Sequence, residues 1–301
     1  MKNRKKAKLK IKNIIIILII FLLLGITISI ITKNNAKPKI KDKKEIKQKE
    51  KILTEKEKKY QELNNINKKL DYFKDEYLDR YLEYKKNNQN LSDEQIIKNV
   101  NMNLDLEKYE QTQPAKYQNT EKILVNKYYN VGQDYIPENL ELIDNQYAIG
   151  NMKMVKVAKE AFESLSAAAK KENLNIIAMS TYRSYDYQTN LYNRYVAQDG
   201  KENADTYSGR PGHSEHQTGL AADVYNKTET YTNFERTKEY QWMQNHAHEY
   251  GFILRFPEDK VDETGYQFES WHYRYVGIEA AKYIKEHNIS FEEYFATIID
   301  K

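Results

Sequence analysis

The sequence predicts an α+β domain with a small, mainly antiparallel sheet flanked by helices, preceded by a transmembrane helix and a helical stalk. Three observations predict this order: an uncharged apolar run near the start, a charged stretch of helix-forming residues after it, and short apolar segments alternating with amphipathic ones in the C-terminal half. The predicted boundaries are a cytoplasmic basic tail at 1–13, a membrane anchor at 14–32, a stalk at 33–90, and the domain at 91–301 with its core at about 120–290.

Composition and charge limit the classes of function. The 301 residues include no cysteine, which excludes disulfides, thiolate metal sites, cysteine nucleophiles and lipid attachment through cysteine. Any metal must therefore be held by histidine and carboxylate side chains. Seven basic residues lie in 1–13, whereas 33–301 carries 41 basic and 44 acidic residues, a net charge of −3. This balance does not provide the excess positive charge of a nucleic-acid binder, so no such partner is expected.

The first apolar run predicts a membrane anchor. Residues 14–32, IIIILIIFLLLGITISIIT, are uncharged and close to the roughly 20 residues that cross a bilayer as a helix. Because the basic tail before them stays on the cytoplasmic side, the domain is expected outside the cell, in a single-pass membrane protein. A cleaved signal peptide is the alternative. The length of the run, and the absence of a small-x-small site after it, favour an uncleaved anchor.

The charged stretch at 33–90 is predicted to be a helical stalk, since it contains no glycine and only Pro38 as a helix breaker. Its apolar residues recur at spacings of three, four and seven from Ile46 to Tyr81, which indicates one face of a helix. Because that face is thin, a solvated stalk that holds the domain away from the membrane is expected. A short coiled coil, with weak self-association through the stalk, is the alternative.

The C-terminal half alternates between the two periodicities. Helices are predicted at 155–169, 185–200, 236–250 and from about 277. Strands are predicted at 174–182 and in the segments LAADVYN, FILRF and WHYRYVG. Ser184 is expected to cap the helix that follows it, and SFEEYF at 290–295 predicts a capping box that opens a last helix.

Three side chains in this half are candidate metal ligands. His216 and Asp223 have six residues between them, across a loop that leads into a strand, and His272 is on a separate predicted strand. A catalytic zinc takes three protein ligands and keeps one position for water, and two histidines with one carboxylate supply that set. We therefore predict one Zn²⁺ in the domain.

Two further side chains give this site a hydrolytic chemistry. Glu269 precedes His272 by three residues, close enough to reach a water at the metal without binding the metal itself. As a general base it would take the proton of that water and hand it to the leaving amine. Arg183, at the end of a predicted strand, is the candidate for stabilising negative charge on the carbonyl oxygen. Its alternative role is a bidentate contact with a substrate carboxylate.

Three motifs, YRSYDYQ at 182–188, SEHQTGLAAD at 214–223 and ESWHYRYVG at 269–277, together resemble the VanY-type D-alanyl-D-alanine carboxypeptidases, zinc enzymes that trim cell-wall peptide stems. The likeness extends over about 90–290 and leaves the stalk outside. It implies that His216, Asp223 and His272 bind zinc, that Glu269 is the base and that Arg183 faces the reacting carbonyl. Ser270 departs from the proline that is usual in this motif, which loosens the backbone but removes no chemical group.

The resemblance implies a zinc carboxypeptidase that removes the terminal D-alanine from peptidoglycan stem peptides ending in D-alanyl-D-alanine, and the predicted anchor makes it membrane-bound and extracellular. One alternative is an L,D-carboxypeptidase that trims tetrapeptide stems. Another is a non-catalytic peptidoglycan-binding module, against which Glu269 and Arg183 argue, because a binding module needs no base beside a water.

Five more side chains near these motifs are predicted to contact substrate: Ser214, Gln188, Ser184, His213 and Trp271. Several have a structural alternative. Ser184 also serves as a helix cap, His213 suits an exposed loop, and Trp271 suits aromatic packing in the core.

Overall fold

Helices and short strands alternate along the chain in this computed structural model, which describes residues 40–301. The α-helices are α1 (Ile40–Glu62), α2 (Leu78–Asn87), α3 (Asp93–Asn101), α4 (Lys156–Lys171), α5 (Tyr185–Asp199), α6 (Lys201–Tyr207), α7 (Lys238–His246), α8 (Val261–Thr264), α9 (Ile278–His287) and α10 (Phe291–Tyr294). The strands are β1 (Gln113–Pro114), β2 (Tyr129–Asn130), β3 (Leu140–Leu142), β4 (Lys153–Val155), β5 (Ile177–Ser180), β6 (Ala221–Tyr225), β7 (Phe252–Leu254) and β8 (His272–Tyr275). The predicted α+β class is confirmed.

A four-stranded sheet in the order β5–β6–β8–β7 organises the C-terminal half. Its neighbouring strands are all antiparallel. Each of the four lies within an apolar segment from which a strand was predicted, and each is shorter than that segment. Two small ladders lie outside this sheet: β1 pairs with β2 in parallel, and β3 pairs with β4 antiparallel. The predicted small, mainly antiparallel sheet is therefore confirmed.

Helix α4 packs through the apolar face that its sequence predicts. Ala158, Phe162, Leu165 and Ala169 are all buried. The Phe162 ring meets the ring of Phe252 in β7 edge to face, with 6.0 Å between the centroids. Burying one Leu or Phe side chain contributes roughly 1.5–3 kcal/mol. This face therefore holds α4 against the sheet.

Several helix ends follow from single residues. The Ser184 hydroxyl oxygen accepts a hydrogen bond from the Tyr187 backbone N–H at 3.2 Å and so starts α5. The Ser290 hydroxyl accepts one from the Glu293 backbone N–H at 3.0 Å and starts α10, which continues into a π-helical turn at Phe295–Ile299. Gly251, with φ of 82°, ends the helical stretch that includes α7. Both serines therefore cap their helices, but the predicted capping box at Ser290 is only half formed, because the Glu293 carboxylate pairs with Lys98.

The chain between two of the predicted metal ligands turns at Gly219. This residue ends a short 3₁₀ helix, Glu215–Thr218, and has φ of 69°, where glycine is favoured. A Cβ atom here would lie 2.9 Å from Leu140 Cδ2 and 3.0 Å from Val155 Cγ2. Both the backbone conformation and the space therefore require glycine where the chain leaves the loop and enters β6.

The N-terminal region differs from the predicted stalk. The boundary between the two compact units of the chain falls between Lys58 and Lys59, ahead of the predicted domain boundary near 90. Helix α1 ends at Glu62 because Asn64 and Asn65 adopt left-handed φ values of 50° and 53°, which do not continue a right-handed helix. A single helical stalk face from Ile46 to Tyr81 is therefore not formed.

The apolar residues beyond this break belong to the folded unit. They form a small core of their own, whose buried members are Leu63, Leu78, Tyr81, Ile96, Ile97 and Val100. Helical spacing alone predicted a solvated stalk here, because it could not reveal that α3 supplies partners for these side chains.

The described residues contain no helix that is long and apolar enough to cross a membrane. The predicted basic tail at 1–13 and membrane anchor at 14–32 lie outside the described residues.

Candidate metal centre

Three elements bring the predicted metal ligands together. His216 lies in the 3₁₀ helix at Glu215–Thr218, Asp223 is in the middle of β6, and His272 begins β8. In the antiparallel ladder Asp223 is directly opposite His272, so their side chains share a face of the sheet. One ligand atom from each of the three residues lies within 4.8 Å of the others. All three side chains are buried.

Hydrogen bonds determine which nitrogen each histidine can offer. His216 Nδ1 is 2.7 Å from the Thr181 carbonyl oxygen, which can only accept, so Nδ1 carries the proton and Nε2 is free. His272 Nε2 is 3.1 Å from a Glu215 carboxylate oxygen, and its Nδ1 faces the other two predicted ligands. His216 Nε2 and His272 Nδ1 lie 3.3 Å and 3.0 Å from Asp223 Oδ1, so these are the two nitrogens that a metal beside Asp223 would meet.

This donor set fits zinc. Two imidazole nitrogens and one carboxylate oxygen converge, and each imidazole is oriented by a hydrogen bond from its other nitrogen, as zinc-binding histidines usually are. Burial, and the nearby Arg183, lower the pKa of His216, which keeps that imidazole in the neutral form that binds metals. His216, Asp223 and His272 would therefore hold the ion.

Arg183 contacts one of the predicted metal ligands, Asp223, directly. Its Nη2 donates to Asp223 Oδ2 at 2.5 Å, and its Nε donates to the Ser180 hydroxyl at 2.9 Å. Burial alone would raise the pKa of Asp223, but His216 and Arg183 hold it well below its usual value, so the carboxylate is charged. The guanidinium also lines the cavity in front of the site. Arg183 can therefore orient Asp223 and face a substrate.

Glu269 lies where a general base is needed. Its Oε2 is 3.7 Å from His272 Nδ1, and the side chain lines the same cavity. Burial raises the pKa of Glu269 to about 8, and the Asp223 carboxylate adds to the rise, whereas His272 and Arg183 oppose it. A buried carboxylate beside three metal ligands is well suited to receive and return a proton.

Ser270, which replaces the usual proline, is held by a hydrogen bond. Its hydroxyl donates to Glu235 Oε2 at 3.0 Å, and the residue is 1% exposed. This contact fixes the segment that carries Glu269 and Trp271.

The site opens into a cavity of about 520 Å³, which contains space beyond the metal ligands for part of a peptide. Gln188, Ser214, His213 and Trp271 all line it. Ser184 does not, and its hydroxyl caps α5 instead. The structure therefore brings four of the five predicted substrate contacts to the cavity.

Gln188 is the most strongly constrained of these four. It is buried, and its Nε2 donates to the Gly209 carbonyl oxygen at 2.7 Å and to the Ser208 hydroxyl at 3.3 Å. Its Oε1 is buried without a hydrogen-bond partner among the described residues. A bound peptide N–H would satisfy this acceptor.

His213 and Trp271 also have structural contacts. His213 Nδ1 is 2.7 Å from the Asn126 carbonyl oxygen, and its ring meets Tyr109 edge to face. The Trp271 ring meets Tyr231 edge to face, with 5.0 Å between the centroids. His213 is therefore half-buried rather than exposed as its alternative required, whereas the aromatic packing expected of Trp271 is compatible with a place on the cavity wall.

Sequence reasoning missed the acidic partner of His272. Glu215, between Ser214 and His216 in the motif, is 3% exposed, and two guanidinium groups, those of Arg255 and Arg274, contact its carboxylate. One signal was available, since both arginines lie within apolar segments predicted to be strands. A fully buried arginine requires a carboxylate or carbonyl partner.

A buried lysine packs behind one wall of the cavity. Lys127 is 2% exposed, donates a hydrogen bond to the Asp205 carbonyl oxygen, and lies 3.9 Å from the ring centroid of Tyr266, which lines the cavity. Burial lowers the pKa of Lys127 from 10.5 to about 7, and Lys108 and Arg210 add to the effect.

Lys127→Met should change how stability depends on pH. Because the folded-state pKa is the lower one, the unfolded chain binds more protons between pH 7 and 10.5, so the destabilisation caused by burying this lysine decreases as pH rises. The wild-type protein should gain up to ~1.4 kcal/mol per pH unit relative to the variant in that window. Urea unfolding across the window measures the difference, with Lys122→Met, an exposed lysine on the same segment, as control. Parallel curves for wild type and Lys127→Met would contradict the assignment.

The fold and the site define a metal-dependent peptidase, and comparison with known proteins gives its family. The family model described as VanY, D-alanyl-D-alanine carboxypeptidase, matches residues 151–278. YodJ of Bacillus subtilis (strain 168), to which carboxypeptidase activity is ascribed, is 40% identical over 190 residues, 60% of this chain and 70% of YodJ. A D-alanyl-D-alanine carboxypeptidase of Enterococcus faecium is 37% identical over 182 residues, 57% of this chain and 56% of that protein. The chain belongs to the VanY carboxypeptidase family.

Solved structures agree. The LdcB LD-carboxypeptidase, studied for its recognition of peptidoglycan, is 36% identical with a TM-score of 0.59, over 64% of this chain and 94% of LdcB. VanYB in complex with D-alanine-D-alanine is 32% identical with a TM-score of 0.53, over 59% of this chain and 98% of VanYB. A VanY mutant from a VanB-type resistance cassette, solved with Zn(II), is 32% identical with a TM-score of 0.51, over 58% of this chain and 98% of that mutant. The predicted family, enzyme class and zinc cofactor are confirmed.

Proposed function

We propose that this protein removes the terminal D-alanine from peptidoglycan stem peptides that end in D-alanyl-D-alanine. The observation that carries the proposal is the position of Glu269, whose carboxylate lies 3.7 Å from His272 in a cavity that Arg183 also lines. Peptide hydrolysis at a zinc site needs a base to take a proton from water and a cation to stabilise negative charge, and Glu269 and Arg183 are suited to these roles. The D-alanine-D-alanine complex of VanYB, with the same fold, supports this substrate end.

The side chains divide the reaction between them. When bound, Zn²⁺ supplies a Lewis acid that lowers the pKa of a water toward ~7. Glu269 takes the proton of the attacking water and returns it to the leaving nitrogen, so that D-alanine departs as a neutral amine. Arg183 stabilises the negative charge that develops on the carbonyl oxygen, or pairs with the terminal carboxylate. Gln188 Oε1 accepts a hydrogen bond from a substrate N–H.

The proposal includes a location. Residues 14–32 anchor the protein as a single uncleaved span, 1–13 stay in the cytoplasm, and the catalytic domain faces the wall outside. The charged residues between the anchor and the domain keep the domain at a distance from the bilayer, and weak self-association there is the accompanying proposal. A mature protein that lacks Ile14, or that leaves the membrane fraction on salt washing, would contradict the anchor.

A second candidate activity is an L,D-cleavage, the removal of D-alanine from a tetrapeptide stem. The similarity to the LdcB LD-carboxypeptidase favours it, since the TM-score of 0.59 is above that of VanYB. The metal ligands and the base serve either cleavage. The difference depends on which residue of the stem the cavity accepts next to the terminal D-alanine.

Defined stem peptides test the two candidates. The full-length zinc-loaded protein in detergent is incubated with a pentapeptide ending in D-alanyl-D-alanine and with the tetrapeptide that lacks the last residue, and the products are identified by mass spectrometry. We expect D-alanine to be released from the pentapeptide. Release from the tetrapeptide alone would replace the first candidate by the second. No release from either peptide would refute both.

A further inference from the structure

The Glu215 carboxylate uses both of its oxygens inside the protein. Oε2 faces His272 Nε2 at 3.1 Å, on the side of the imidazole away from the metal ligands. Oε1 accepts from Arg255 Nε at 2.8 Å and lies 3.4 Å from Arg274 Nη1. Glu215 is therefore placed to accept a hydrogen bond from His272 Nε2 while the two arginines hold its other oxygen.

Arg255 extends this contact to the C-terminal end of the fold. Its Nη1 and Nη2 donate to the two carboxylate oxygens of Glu292 at 2.8 Å and 2.6 Å, a bidentate pair. Glu292 lies in the first turn of α10 and is 1% exposed. Asn126 Nδ2 also donates to Glu292 Oε1 at 3.2 Å. A continuous series of charged hydrogen bonds thus runs from α10 through Arg255 and Glu215 to His272.

We propose that Glu215 is a positioning residue for the metal centre, and that Glu292 sets the position of Glu215 through Arg255. The carboxylate accepts from Nε2 and fixes the ring plane of His272, so that Nδ1 would offer its electron pair to a bound metal. Glu292 lies outside the residues that match the family model, which end at 278. The inference rests on the zinc site of the proposed function and does not depend on the peptide that is cut.

The buried cluster of Glu215, Arg255, Arg274 and Glu292 is not explained by stability alone. Two arginines and two glutamates taken from water cost desolvation energy, and a buried ion pair is often replaceable by apolar residues without loss of stability. In this cluster one carboxylate oxygen of Glu215 contacts His272, a predicted metal ligand. A carboxylate in that position makes the imidazole a better ligand, and loss of such a partner typically costs ~10–100-fold in metal affinity.

We call the series of hydrogen bonds from Glu292 through Arg255 and Glu215 to His272 the relay. Glutamine substitutions test it with little change in side-chain shape. In the full-length protein, Glu215→Gln should weaken zinc binding by ~10–100-fold, measured by competition with a chelator, and should alter the visible absorption of the Co²⁺-substituted protein. Glu292→Gln acts one step further away and should weaken zinc binding by less. Glu293→Gln is the matched control, because this neighbour in α10 pairs with Lys98 at 3.0 Å and should leave the metal affinity unchanged.

The outcomes separate positioning from stability. A purely structural role would lower the unfolding temperature of folded Glu215→Gln, while its zinc affinity and Co²⁺ spectrum stayed those of the wild type, and that result would overturn the proposal. If Glu215→Gln fails to fold, Glu292→Gln decides: unchanged zinc affinity in that folded variant overturns the relay. Zinc affinity is measured without a peptide. A wild-type protein that binds zinc but releases no D-alanine would therefore refute the proposed function and leave this inference intact.

Discussion

Glu269→Ala should reduce kcat by roughly 10²–10⁴-fold while the protein still binds zinc. The carboxylate is 3.7 Å from the nearest histidine nitrogen and contributes no atom to the three-residue cluster, so its removal takes away the base without removing a ligand. Its raised pKa also marks it as a group that is costly to keep charged in the folded protein. Loss of activity should therefore not be accompanied by loss of stability.

Turnover of the pentapeptide and zinc content by atomic absorption are measured together on the same sample. Glu258→Ala, an exposed glutamate outside the cavity, is the control and should retain full activity. Glu269→Gln should be nearly as inactive as the alanine variant, because the amide cannot accept the proton. Activity within tenfold of wild type in both Glu269 variants would remove Glu269 from the role of base.

The metal ligands and the sheet could be predicted from the sequence because each depends on local patterns. His216 and Asp223 lie on either side of one glycine turn, and His272 starts a short apolar strand. Residue spacing and apolar alternation therefore identify the elements that carry them. What the sequence does not contain is the pairing of β6 with β8, which places Asp223 opposite His272. The motifs and their resemblance to a known family supplied that link.

The parts that escaped prediction depend on contacts between distant segments. Glu215 is surrounded by side chains from positions 255, 272 and 274, which are far from it in the sequence. The periodicity of a single helix or strand cannot predict such contacts. The stalk prediction failed for the same reason beyond residue 62. Its helical period was read correctly, but two left-handed asparagines end the helix, and the partners of the apolar residues lie in α3.

His216→Ala should remove the metal and the activity together. His216 supplies one of the three ligand atoms of the cluster, and its bond to the Thr181 carbonyl oxygen holds the ring in place, so its removal leaves two ligands. The loss of zinc affinity should exceed the ~10–100-fold that removal of an outer partner such as Glu215 costs. Dialysed protein should contain almost no zinc, and micromolar Zn²⁺ should restore little turnover of the pentapeptide.

His246→Ala is the matched control, because this histidine lies on the partly exposed end of α7, where it contacts Glu249 and the ring of Trp242, away from the cavity. It should keep both zinc and activity. If His216→Ala bound zinc as tightly as this control, the ligand set would have to be assigned again. We expect zinc affinity to decrease from wild type to Glu292→Gln, then Glu215→Gln, then His216→Ala. Such an order would mean that affinity falls as the altered side chain comes closer to the ion.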